Sequence, residues 1–145
     1  MEQVFTNGTY RGEGRWIDQK TEGHYTAQYT ITDGADGAKV HEVERTFFKP
    51  DATVAYEERT TVTFESQPRS GVAVTIRSRQ GEVTGPGYTL DHQCHYDIEI
   101  APDNHLEFTF HANEAGLTGL GSATNKGNRT YWKESLSRIA LDKTL

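Results

Sequence analysis

Cysteine occurs once in the 145 residues, at Cys94. No internal disulfide can form, and a reducing compartment is the expected setting. Long apolar runs are missing too: none approaches the roughly 18–20 residues that a membrane-crossing helix requires. The opening residues, Met1-Glu2-Gln3-Val4-Phe5, lack the basic start and apolar stretch of a secretory signal. The cytoplasm is therefore the expected location, and a membrane is not an expected partner. Positive charge is scarce, with 15 Lys and Arg against 21 Asp and Glu and a net charge of −6. Such a surface repels a phosphate backbone, so nucleic acid is not expected as a partner. Helical patterning is nearly absent, because no window of about a dozen residues repeats its apolar positions at helical spacing.

What the chain does contain is alternation. β-branched and aromatic residues recur in runs separated by turn clusters roughly every 10–14 residues, the pattern of an all-β chain of about nine to ten strands. The strands expected are Gly8–Asp18, His24–Thr32, Lys39–Phe48, Thr53–Glu65, Gly71–Arg79, Glu82–Leu90, His92–Ala101, His105–Ala112, Leu117–Thr124 and Arg129 to about Ala140. Gly85-Pro86-Gly87 should break or bulge the sixth. Over Tyr131–Leu141 a helix is the rival reading, since Trp132, Leu136, Ile139 and Ala140 also fall at helical spacings. Short turns between consecutive strands imply an antiparallel meander, and closing it removes two exposed edges. The expected architecture is a single antiparallel up-and-down β-barrel spanning 1–145, with room inside for one small ligand.

On the first strand Tyr10, Gly12, Gly14 and Trp16 share one face, and its two glycines leave space for a backbone or ring to cross close by. Two hairpins suggest registers. Across Lys49-Pro50-Asp51-Ala52, Phe48 would face Thr53, placing Arg45 opposite Tyr56, Val43 opposite Glu58 and His41 opposite Thr60. Across Pro102-Asp103-Asn104, Ile100 would face Leu106, Ile98 Phe108 and Tyr96 Phe110.

The inward faces carry unexpected polar groups. His41, Arg45, Tyr56 and Glu58 share a face with Val43, Phe47, Val54, Val62 and Phe64, and ionisable groups there need partners or water. An Arg45–Glu58 ion pair lies within reach. The functional alternative is a polar anchor for a ligand carboxylate or carbonyl, with Arg45 as the charge, Tyr25, Tyr29 and Tyr56 as further donors, and Tyr96 and Trp132 on the wall. Glu134 would be another inward carboxylate, paired with Arg138 or reaching water at the rim. His92 and Cys94 are close enough for a thiol–imidazole pair, although a buried cysteine is more often a small hydrophobe. His95 and His111 would lie opposite each other beside Asp97, a donor set suited to zinc, but on a face that reads as ordinary outer surface. No metal site is therefore expected.

Gly14-Arg15-Trp16 resembles the G-x-W of the lipocalin and calycin group of small barrels, whose last strand carries a basic residue over the indole. Gly14 and Trp16 match, and Arg138 is the candidate closing residue. The resemblance implies a barrel enclosing a small, usually hydrophobic molecule, with Trp16 and Arg138 sealing its base. Among cytosolic relatives, fatty-acid-binding proteins insert two helices after the first strand, for which Gln19–Gly23 leaves no room. Nitrobindin-like haem barrels place an axial histidine late in the chain, whereas the last here is His111. No cofactor is expected. The leading expectation is an intracellular barrel binding a largely apolar or aromatic ligand with one polar end. The alternative is a small enzyme of the isomerase, cyclase or dehydratase type, using Glu58 or Glu134 as a buried general acid or base.

Overall fold

Each alternating run forms a strand, and each strand pairs with its sequence neighbours until the last returns to the first. In chain order these are β1 (Gly8–Ile17), β2 (Glu22–Asp33), β3 (Lys39–Phe48), β4 (Val54–Gln67) and β5 (Gly71–Ser78). They continue as β6 (Gly81–Leu90), β7 (Gln93–Ala101), β8 (Asn104–Ala112), β9 (Gly116–Asn125) and β10 (Asn128–Arg138). In the computed structural model, which describes residues 1–139, the ten strands make a closed antiparallel up-and-down barrel. One short 3₁₀ turn, Ala35–Gly37, interrupts the meander. Among the described residues no helix is long and apolar enough to cross a membrane. The helical alternative for the C-terminal segment fails over 131–138, which pairs as strand on both sides, while Ala140 and Leu141 lie outside the described residues.

Both expected hairpin registers are displaced by two residues. Arg45 faces Glu58 rather than Tyr56, Val43 faces Thr60 and His41 faces Val62. The turn between β3 and β4 takes Thr53 as well, and a bulge beside Phe47/Phe48 absorbs one more residue. In the β7–β8 hairpin Ile98 faces Leu106, Tyr96 faces Phe108 and Cys94 faces Phe110, because a bulge between Glu99 and Ala101 leaves Ile100 unpaired and exposed. A shift of two preserves which face a side chain occupies, so the inward placement of His41, Val43, Arg45 and Tyr96 survives while cross-strand partners change; at the bulges it fails, and Val54 and Ile100, both expected inside, are exposed. β6 is not broken at Gly85-Pro86-Gly87; it pairs with β5 over Gly81–Tyr88 and with β7 only over Gly87–Leu90. Proline has no N–H to offer a ladder, and the unpaired stretch of β6 toward β7 includes Pro86.

The glycines of β1 are needed for close approach. A Cβ at Gly12 would stand 1.7 Å from the Ser135 carbonyl oxygen of β10, and one at Gly14 would stand 2.1 Å from the Tyr25 ring. The barrel is plugged at the end where β1 begins. Val4 and Phe5 are buried there, and the Phe5 ring lies 4.4 Å from that of His41, 4.7 Å from Phe64 and 5.4 Å from Phe110. The Tyr10 hydroxyl donates to the Thr6 carbonyl at 2.6 Å, and Arg138 donates to the Asn7 carbonyl at 2.7 Å. Lys39 is buried beside this plug, bonded to Asp33, Glu2 and Asn7.

Candidate functional site

At the opposite end the barrel is open, and a cavity of about 480 Å³ runs inward from the mouth. Trp16, Phe47, Tyr56 and Trp132 form part of its lip and wall, and His41 and Phe110 lie toward the plugged end. Period-two alternation on β2, β3 and β4 delivers Tyr25 and Tyr29, then His41 and Arg45, then Tyr56 and Glu58 to the same space. Tyr96 and Trp132 complete the set of eight residues that the alternation marks as candidate ligand contacts, all of which line this cavity.

Glu134, expected as an inward carboxylate, lies behind that wall as the centre of the polar network. Its carboxylate is fully buried and accepts from the Tyr25 hydroxyl at 2.7 Å, from the Tyr29 hydroxyl, and from Arg45 Nε at 3.2 Å and Nη2 at 3.4 Å. Arg45 also donates to the Tyr29 hydroxyl at 2.6 Å and reaches Glu58 at 3.5 Å. Glycines make this convergence sterically feasible. Glu134 is paired with Gly14 on one side and Gly119 on the other. The Tyr25 ring occupies the space a Gly14 side chain would need, and a Cβ at Gly119 would press on Phe108 and on Glu134 itself. Gly121 similarly makes room for the Trp132 indole.

Burial, with the Glu134 charge adding to it, raises the Tyr25 phenol well above its ordinary value, and burial does the same to Tyr29 and Tyr96. Burial alone would lower Arg45, but the facing Tyr29, Glu134 and Tyr25 groups outweigh it and hold the guanidinium charged. His41 is fully buried with neither ring nitrogen hydrogen-bonded, and burial, assisted by the Lys39 charge, pushes it down to about 3. It is a neutral imidazole near neutral pH.

Other expectations need correction. Arg138 does not cover Trp16: it pairs with Tyr10 at the plugged end, whereas Trp16 pairs with Trp132 at the mouth. Antiparallel pairing sets the end of β10 beside the start of β1, so the two residues are separated by six strand positions, roughly 20 Å. Trp16 sits at the open end and the N-terminal segment seals the base. Nor does Glu134 pair with Arg138; its cation is Arg45. His92 is exposed with Nδ1 3.3 Å from the Gln3 carbonyl, while Cys94 is buried and its thiol is pushed up to about 12 by burial, the reverse of an activated nucleophile. His111 faces Gln93 rather than His95. His95 instead groups with Asp97 and Glu107 on the outer face, their donor atoms within 4.8 Å of one another, and His105 contacts Asp97.

A scan against protein-family models finds no match, and a search of curated proteins finds no similar sequence. The fold is consistent with a calycin-like barrel.

Proposed function

We propose that this protein is an intracellular carrier or receptor of a small molecule, holding a largely apolar or aromatic ligand with one polar end in the open cavity. The observation that carries the reading is the hollow itself. About 480 Å³ is left between aromatic walls and a fixed polar cluster, within the ~300–1,000 Å³ usual for ligand pockets. A barrel whose role was purely structural would fill that volume with its own side chains. Cavity-lining Phe47 and Tyr56 stack at 4.6 Å, and Phe108 meets Trp132 edge-on at 5.9 Å, offering ring faces to a flat apolar body. The unpaired Cys94 supports placing the protein in a reducing cytoplasm.

The enzyme reading has weaker support. Glu134 accepts four hydrogen bonds, about as many as a carboxylate has acceptor positions, which favours an internal anchor over a base facing substrate. Of the two expected acid–base candidates, Glu58 is the one left facing the cavity.

Native mass spectrometry of protein purified gently from its host should find a retained small molecule. Thr60→Trp, which fills the cavity from β4, should lose it while unfolding at a similar denaturant concentration. Retention of the same molecule by the filled variant would move the binding site elsewhere and defeat the reading.

A further inference from the structure

The polar end of the ligand is open to derivation from the charges around the cavity, and this step rests on the binding reading above. Among the described residues lining the cavity, Arg45 is the one cationic side chain. Its Nε and Nη2 are engaged by Glu134 and Tyr29, and Nη1 is turned to Glu58. A guanidinium so committed has one N–H left for an incoming group.

The carboxylates are less committed. Glu58 lies 3.5 Å from Arg45 through a single oxygen, and its side chain is 42% exposed toward the mouth. Asp18, also on the cavity lining, uses Oδ1 to accept from the Lys20 and Thr21 amides at 2.8 Å, which lowers its pKa, and among the described residues nothing donates to Oδ2. With Glu134 behind the wall, three carboxylates stand against the one guanidinium on the lining, and Lys20, outside the lining, adds its charge beside Asp18 while Glu58 keeps only the Arg45 contact. The neutral His41 at the inner end adds no positive charge. Tyr56 is set between Phe47, on which it stacks, and Glu58, whose charge adds to burial in raising the phenol. Aromatic faces beside under-neutralised carboxylates are the surroundings that an organic cation prefers, because ring quadrupole and carboxylate attract it together. A ligand carboxylate would enter a field of its own sign.

We infer that the ligand's polar end is a cationic amine, received between Glu58 and the Phe47–Tyr56 ring pair, and that acid-headed molecules such as fatty acids are excluded.

Three probes with one aromatic body separate the possibilities: 1-naphthylmethylamine, protonated at pH 7, the neutral 1-naphthalenemethanol, and the 1-naphthoate anion. Binding to the full chain is measured by isothermal titration calorimetry, with displacement of each by the others. The amine should bind at least about tenfold more tightly than the alcohol, as a charge-assisted hydrogen bond provides, and the anion most weakly. Glu58→Gln should erase most of the amine's advantage and leave the alcohol's affinity unchanged. If the alcohol binds but the anion equals or exceeds the amine, this inference fails and the binding reading stands. An amine preference that survives unchanged in Glu58→Gln also overturns it, as does a loss of alcohol binding in that variant. Failure of all three to bind overturns both.

Discussion

Glu134 and Arg45 meet at 3.2 Å inside the barrel although 89 residues separate them in the chain. Glu134 is completely buried, and Arg45 supplies its positive charge. Removing one partner of such a pair leaves an uncompensated charge, costing about 3–5 kcal/mol, whereas replacing both with apolar groups of similar volume often costs far less. Arg45→Ala is therefore expected to lower stability by that amount, and Arg45→Met combined with Glu134→Leu should be more stable than Arg45→Ala. Urea denaturation of the two variants measures this. A native-like midpoint for Arg45→Ala would show that the pair does not hold the barrel together.

Two glycines of β1, Gly12 and Gly14, make a second, steric prediction. Gly14→Ala puts a methyl into the Tyr25 ring and should cost about 1–3 kcal/mol while displacing a donor from Glu134. Gly12→Ala meets a backbone carbonyl at 1.7 Å, which no side-chain rotation relieves, so it should be the more damaging. Thermal melts of the two variants give the order.

His41 makes stability depend on pH. Its folded pKa of about 3 lies below the ordinary 6.5, so between those values the unfolded chain binds a proton that the folded chain refuses. This contribution is fully present above pH 6.5 and falls as pH drops, by at most about 1.4 kcal/mol per unit. His41→Phe, which suits the packing against Phe5, Phe64 and Phe110, should flatten the dependence between pH 6.5 and 4. The check is the urea midpoint of each protein across that range; parallel curves would mean that His41 is protonated in the fold.

Cys94 is predicted to resist alkylation. Its sulfur is buried and its pKa is raised to about 12, so iodoacetamide at pH 8 should leave the native protein unmodified and label it fully in denaturant. Intact-mass measurement reads both states. Rapid native labelling would require an opening of the plugged end.

The alternation of side chains was legible from the chain alone, because it is a local property with a period of two. Hence the all-β class, the inward placement of Tyr25, Tyr29, His41, Arg45 and Glu58, and the need for Gly12 and Gly14 all follow from order in sequence. Partners were not legible. In each hairpin a turn one residue different from the expected one and a bulge, beside Phe48 or at Ile100, together moved the register by two, and nothing in the local sequence sets how many residues a turn consumes.

The candidate site divides along the same line. Residue types on one strand face announce a polar interior, but the meeting of Glu134 with Arg45 depends on where β10 closes against β1 and on what crosses the hollow between non-adjacent strands. Closure likewise placed Trp16 at the mouth and Arg138 at the far end, against the expectation from their similarity to a known motif. Sequence determined which way each side chain points; only the closed barrel decided which charge answers which, since that choice is made across space rather than along the backbone.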